Sequence, residues 1–381
     1  MKATRQDRHA QSPGGKVRYA VVGLGYIAQV AVLPAFAHAT ENSQLTALVS
    51  SDPVKLKELA KKYNVDRTYS YDAYDDCLRS GMVDAVYIAL PNNMHRTYAV
   101  RAAGARVHVL CEKPMALTEE ECIDMIKAAD EHDVKLMIAY RLHFDEANLK
   151  AVEIVQSATL GEPRVFSSLF TMQVEEGNIR LDKKLGGGTL YDIGVYCINA
   201  ARYLFQDEPI EVFALSANNG EKRFKEVDEM TTGIMRFPAE RLATFTTSFG
   251  AADLSVYRVI GTNGNLLVDR AYSYTEERKH ALTVNGKTER LSFPKRDQFA
   301  AELLYFSDCI LHGEDPEPSG IEGLNDVRII QALYRSAESG TPVELNIPDR
   351  QRRPAIEQSI KRPPVTKPKL VREKGPRQKS R

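Results

Sequence analysis

Cysteine is scarce, and its spacing carries no pattern. Cys77, Cys111, Cys122, Cys197 and Cys309 are odd in number, scattered and without C-x-x-C spacing. That argues against a disulfide framework and against a zinc site, and it fits a reducing compartment. Long apolar runs are missing too. The first sixteen residues are polar, with no apolar leader core and no twin arginine, and no later run approaches the roughly eighteen apolar residues of a membrane span. Charge of one sign is also lacking, since 51 Lys and Arg balance 51 Asp and Glu. Nothing global therefore points to a nucleic-acid or membrane partner. The expectation is a soluble, cytoplasmic protein.

The balance hides an asymmetry. From Arg350 to Arg381 the chain carries twelve Lys and Arg against two acids, with five prolines and few apolar residues, which leaves the body acidic. Residues 349–381 read as a basic, disordered tail and residues 1–16 as a polar N-terminal arm. Contact of the tail with an acidic surface or with nucleic acid is the alternative.

What is present is led by Tyr19 to Ala28, Y-A-V-V-G-L-G-Y-I-A. An apolar run breaks on Gly23 and Gly25 and continues with helical periodicity through Ile27, Val30, Ala31 and Ala35. A strand that turns into a helix through glycines offers backbone N–H groups and the positive end of a helix dipole to a pyrophosphate. Taken alone, G-x-G-x-x-A is weak, because glycine marks many tight turns. Its context strengthens it. A strand at Leu45 to Val49, a helix from Pro53 to about Tyr63, runs at Val83 to Ala89 and Arg106 to Leu110 separated by a helix near His95 to Ala103, a Thr118/Glu121 capping box and a strand at Lys135 to Ala139 alternate in order. Such alternation predicts an α/β domain, a Rossmann-type doubly wound parallel sheet over residues 17–145.

Beyond Leu160 the texture changes to long alternating stretches: Pro163 to Gln173, Glu211 to Ala217, Met230 to Phe237, Leu242 to Phe249 and Ser255 to Ile260. These predict an α+β domain over 146–348 with a mostly antiparallel, open-faced sheet, helices at Asp192 to Leu204, Gln298 to Leu311 and Ile321 to Ser339, and the last two closing that domain. An open sheet face needs a cover. A second copy of the chain is the simplest one, so a homodimer or homotetramer is expected.

Ligands of an open parallel sheet gather beyond the carboxyl ends of its strands, where strand order reverses. That rule nominates Gly23, Gly25, Tyr26 and Ile27, then L-P-N-N-M-H with Leu90, Pro91, Asn92 and His95, and C-E-K-P with Glu112, Lys113 and Pro114. Glu112 and Lys113 also fit an ordinary surface pair. As functional groups, the lysine would hold a ribose and stabilise negative charge on a reacting oxygen. In L-G-G-G-T-L-Y-D-I-G-V-Y, glycines 186 to 188 would let backbone approach a ligand, and the helix that follows sets Asp192 and Tyr196 four residues apart on one face. A carboxylate beside a phenol handles protons. A phenol with an ordinary pKa near 10 needs a positive charge beside it to act near neutral pH, which Lys113 would supply; otherwise Tyr196 reads as a half-buried core tyrosine.

Together, G-L-G-Y-I-A, C-E-K-P and G-G-G-T-L-Y-D-I-G-V-Y resemble the glucose-fructose oxidoreductase family of NAD(P)-dependent sugar dehydrogenases, over about residues 17 to 345. The resemblance implies a catalytic set at Lys113, Asp192 and position 196. Most members carry His there, and Tyr196 is similar to the glucose-fructose and aldose-oxidising branch, as are M-I-A-Y-R-L-H, which holds Arg141, and A-R-Y-L-F-Q-D-E-P-I-E-V. The end of the second strand offers Val49, Ser50 and Ser51 where an NAD enzyme places an acid, with Lys55 and Lys57 nearby, so NADP is favoured over NAD; Asp52 is the competing residue. No metal site is expected. Three activities remain: a dehydrogenase releasing NADPH, an oxidoreductase that keeps its dinucleotide and re-oxidises it with a second sugar, and a dinucleotide-sensing regulator without catalysis.

Overall fold

In the computed structural model, residues 15–348 and 352–376 are described. All but the last two residues of the expected N-terminal arm lie outside them. Strands β1 (Val17–Val22), β2 (Ser43–Val49), β3 (Arg67–Tyr69), β4 (Ala85–Ile88), β5 (His108–Glu112) and β6 (Leu136–Ala139) form one parallel sheet in the order β3-β2-β1-β4-β5-β6. The chain winds outward from β1 to β3 and returns to start again at β4. The switch point, and with it the ligand crevice, therefore lies between β1 and β4.

Both faces of this sheet are buried, which explains its near-continuous apolar strands. On one face Tyr19, Val21, Leu48, Tyr87 and Leu110 pack with Phe299, Leu303 and Phe306; on the other Ala20, Val22, Val86, Ile88 and Val109 pack with Tyr98, Ala99 and Met125. Helix α1 (Leu33–Ala35) follows a wide π turn at Ala28–Val32. The next helices are α2 (Pro53–Tyr63), α3 (Tyr74–Arg79), α4 (His95–Gly104) and α5 (Glu119–Glu131). The capping box forms as read, with Thr118 Oγ1 accepting from Glu121 N and Glu121 reaching back to Thr118 N. Strand β5 begins and ends later than expected. Arg106 takes a left-handed φ of 60°, and Val107 N still bonds Ala102 O in the turn that closes α4, so Cys111 and Glu112 are sheet residues.

After α6 (Glu146–Gln156) comes a larger sheet: β7 (Pro163–Thr171), β8 (Glu211–Ala217), β9 (Met230–Phe237), β10 (Arg241–Ser248), β11 (Leu254–Gly261), β12 (Gly264–Asp269), β13 (Arg278–Val284), β14 (Lys287–Phe293) and β15 (Val343–Glu344). Its order is β14-β13-β12-β11-β7-β10-β9-β8-β15, antiparallel except for the parallel β7/β10 pair. Helices α7 (Val195–Phe205), α8 (Gln298–His312) and α9 (Gly320–Ser339) complete the fold.

Two expectations need correction here. Helix α8 does not close the second domain; its Phe299, Leu303 and Phe306 complete the core of the first sheet, and Tyr19 Oη lies 2.8 Å from Ser307 Oγ. An apolar helix face says how much must be buried, not against which sheet. The tail is not disordered over 352–376. Arg353 pairs with Glu208 at 3.0 Å, Lys361 with Glu146 at 2.7 Å and Arg362 with Glu41 at 2.5 Å, while Ile360 N bonds Phe144 O at 3.1 Å. The acidic surface that the tail meets belongs to its own body.

The outer face of the large sheet carries exposed apolar side chains. Ile260, Val165 and Leu242 lie side by side across β11, β7 and β10, with Leu169, Ile234 and Leu254 also exposed.

Candidate active site

The glycine loop does two jobs. Gly23 has φ +95° and packs so tightly on the end of β4 that a Cβ would stand 2.5 Å from Ala89 O, whereas a Cβ on Gly25 would meet nothing within 4 Å. One glycine is needed for the turn. The other leaves backbone open toward the crevice at the start of a helix, which suits a pyrophosphate. Tyr26 and Ile27 follow, both partly buried against the first core. At the end of β2, Ser50 is buried and its Oγ accepts from Asp52 N at 3.2 Å. Asp52 caps α2, accepting from Val54 N at 2.9 Å and Lys55 N at 3.1 Å. Its carboxylate is thus engaged with its own helix, which leaves Ser50 and Lys55 as the groups at this end.

The loop after β4 reaches the other domain. Asn92 Nδ2 donates to Gly186 O at 2.8 Å, and Pro91 is half-buried beside it. His95 is buried, with Nδ1 2.9 Å from Pro114 O and Nε2 3.0 Å from Leu90 O. Burial pushes its pKa down while the hydrogen bonds to those two carbonyls oppose the shift, and the ring braces the two crevice loops from behind. The triple glycine is corrected in role. A Cβ on Gly186 would strike Leu117 at 2.5 Å, one on Gly187 the Arg180 carbonyl at 2.4 Å, and one on Gly188 the Tyr334 hydroxyl at 2.6 Å. These glycines allow protein segments, not a ligand, to pack closely.

At the carboxyl end of β5, Lys113 leaves the first domain and meets the second. Its Nζ donates to the Asp192 carbonyl at 2.8 Å, lies 3.8 Å from the Asp192 carboxylate and 4.7 Å from the centre of the Tyr196 ring. The Lys113–Pro114 peptide is cis. Asp192 sits in a π turn at Leu190–Gly194 just before α7, an irregularity frequent at functional sites. Arg180 Nε donates to its other oxygen at 2.6 Å. Burial pushes the Asp192 pKa up, but Arg180 and then Lys113 pull it further down, so the carboxylate stays ionised below its usual range.

Arg141 approaches the same ring from the loop after β6. Its guanidinium is 4.9 Å from the Tyr196 ring centre and 5.2 Å from that of Tyr274, and it is only 4% exposed. Gln298 accepts from one arm and Tyr272 O, at 2.7 Å, from the other. Beneath it, the Tyr87 hydroxyl lies 3.0 Å from Glu112 and 3.4 Å from Glu302. Glu112 is buried, so the surface-pair alternative falls. Burial, then the neighbouring Glu112, push Glu302 well above the ordinary carboxyl range, with Arg141 opposing.

Lys113, Asp192, Tyr196 and Arg141 therefore converge, while Gly25, Ser50 and Lys55 lie in the turns and first helical residues that follow β1 and β2. Arg180, Tyr274 and Glu302 were missed. Glu302 had a signal, a lone acid inside the apolar run F-A-A-E-L-L-Y-F; Arg180 had none, because it lies in a short irregular segment and meets Asp192 only through the fold.

A nucleotide crevice on one domain that opens toward a cation-flanked phenol on the other is the arrangement of a dinucleotide-dependent oxidoreductase. Comparison with known proteins makes the class specific. Residues 17–140 match the model described as "Oxidoreductase family, NAD-binding Rossmann fold", and residues 148–267 match the GFO/IDH/MocA C-terminal domain. The chain belongs to the GFO/IDH/MocA family of oxidoreductases. A curated relative, the D-xylose 1-dehydrogenase [NADP(+)] of Haloarcula marismortui, is 33% identical over 337 residues, covering 87% of this chain and 93% of the relative. The crystal structure of an aldose-aldose oxidoreductase from Caulobacter crescentus with glycerol superposes with a TM-score of 0.83 at 38% identity, covering 87% of this chain and 100% of that one. A 3-ketoreductase from Actinomadura kijaniata, solved with NADP and TDP-benzene, gives a TM-score of 0.77 at 26% identity, over 84% of this chain and 98% of that one. Among the described residues no helix is long and apolar enough to cross a membrane, and no group of His, Cys, Asp and Glu could hold a metal ion.

Proposed function

We propose that the protein is an NADP-dependent sugar oxidoreductase that moves hydride between C1 of a cyclic aldose and the nicotinamide, with Lys113, Tyr196 and Asp192 as its catalytic groups. One observation carries the reading: two cations from separate loops, Lys113 and Arg141, flank the Tyr196 ring at 4.7 and 4.9 Å beside an ionised Asp192. The dinucleotide, when bound, supplies the hydride acceptor. A phenolate at Tyr196, facing the two cations, takes the proton of the C1 hydroxyl and is returned to the phenol as hydride leaves C1. Asp192, pinned by Arg180, accepts a hydrogen bond from a neighbouring sugar hydroxyl and orients the ring. The glycine loop, Leu90 to Asn92 and Glu112 shape the crevice that receives the coenzyme.

Purified protein given a panel of aldoses, with and without added NADP, should respond at 340 nm, either by NADPH build-up or by cycling of bound dinucleotide between two sugars. Silence toward every aldose would sink the proposal. The preparation should sediment as a dimer or tetramer, because the apolar row Ile260, Val165 and Leu242 needs a cover. All five cysteines are buried free thiols, which supports a cytoplasmic setting.

NADP preference is assigned to Ser50 and Lys55, with Asp52 spent on its helix cap. Placing an acid at Ser50 would repel a 2'-phosphate and offer a partner to a free 2'-hydroxyl. Ser50→Asp should then reverse the ratio of kcat/KM for NADP over NAD by about tenfold or more, the scale of one charged contact. An unchanged ratio would remove Ser50 from the assignment.

A further inference from the structure

The C-terminal segment runs past the turn after the glycine loop and the start of α2. Arg362 O accepts from Asp297 N at 3.2 Å and Val365 O from Lys295 Nζ at 3.1 Å, after which Val365 and Lys367 roof a cavity of about 80 Å³ shared with Tyr26 and Tyr274. Val371 then exchanges two hydrogen bonds with the side chain of Gln29, N to Oε1 at 2.8 Å and Nε2 to O at 3.0 Å. Gln29 lies on the first turn after the glycine loop and is 1% exposed, so its amide is latched to this segment. Glu373 accepts from Lys55, and the Arg372 guanidinium lies 3.5 Å from Asp52. Gly375 rests on the Tyr26 ring, and Pro376 O accepts from Glu175 N of the second domain at 3.2 Å. The basic stretch 350–381 has two acids among twelve cations, and one of the two sits on the lysine at the end of the crevice.

We propose that residues 369–376 form a clasp over the adenosine end of the site, in which Glu373 stands on Lys55 in place of the 2'-phosphate and Arg372 supplies a second cation for that phosphate. NADP then displaces the Glu373 carboxylate from Lys55, and Arg372, exposed at its tip, turns from Asp52 to the phosphate. NAD lacks the anion and leaves the Glu373–Lys55 pair in place. The clasp thereby selects between dinucleotides from outside the two domains. The inference rests on the reading of Lys55 as a partner of the 2'-phosphate.

The test uses the full-length chain with NADPH and NADH as probes, Kd being read by fluorescence titration. Glu373→Gln removes the competing charge and should tighten NADPH about fivefold, with NADH unchanged; Arg372→Ala should weaken NADPH about fivefold, again with NADH unchanged, the scale of a partly exposed ion pair. No change in NADPH affinity, or equal changes for both dinucleotides, would overturn the clasp. Lys55→Ala separates the two readings. If it lowers the NADPH preference while both tail variants are silent, the clasp alone fails; if it leaves the preference intact, the Lys55 reading fails and takes the clasp with it.

Discussion

Tyr196→Phe should lower kcat by about two to four orders of magnitude, the range of general acid–base catalysis, while NADPH binds as before. The ring itself has other work, and the substitution spares it. It packs edge-on against Phe170 at 5.7 Å and tilted against Tyr272 at 5.8 Å, and both cations sit against it. Removing the hydroxyl keeps these contacts and takes away the atom proposed to accept the sugar proton. The measurement is steady-state kinetics on the responsive aldose, paired with an NADPH titration. Unaltered kcat would remove Tyr196 from the reaction, and a matching loss of NADPH binding would make it a cofactor contact instead.

Arg202→Met should cost about 3–5 kcal/mol of stability, read as a lowered urea midpoint with little change in slope. Arg202 is fully buried in α7 and joins three carboxylates: Glu208 at 2.6 Å, Glu322 at 3.0 Å and Asp326 at 2.5 Å. Asp326 also accepts from Tyr140 Oη at 2.6 Å, and Asn199 Nδ2 donates to Glu322 at 2.6 Å, so the network ties α7 and α9 to the last strand region of the first domain. Methionine is close in volume but takes away the cation that Glu322 and Asp326 share, while Glu208 keeps Arg353. Desolvation then dominates, because an uncompensated buried charge costs more than its lost partner was worth. A loss below about 1 kcal/mol would mean that the acids protonate or find water cheaply. The run A-R-Y-L-F-Q-D-E-P, which carries part of the family resemblance, thus owes its arginine and its glutamate to the core.

Helix α2 was read with both of its ends, Pro53 and Tyr63, because proline at the first turn is a local signal; the Asp52 cap emerged only in the structure. The Thr118 capping box and strands β1, β8 and β9 were legible for the same reason: period, caps and turn residues act within a few positions. Strands β12 to β14 were not read. They are short, partly exposed hairpin strands whose alternation is weak, and each is stabilised by the neighbour across its ladder. The triple glycine was misread because a glycine reports close approach and not what approaches; here Leu117, Arg180 and Tyr334 do.

Residue chemistry along the chain by itself determined that a strand would turn on glycines into a helix, that a lysine would stand at a strand's end, and that a carboxylate and a phenol would lie four residues apart at the start of a helix. Each of these depends on neighbours within about one helical turn. Only the tertiary structure decided that Arg180 joins Asp192, that α8 serves the first sheet, and that Glu373 reaches Lys55 across 318 positions of chain. Such pairings depend on the fold that brings distant charges together, and they leave no local pattern to read.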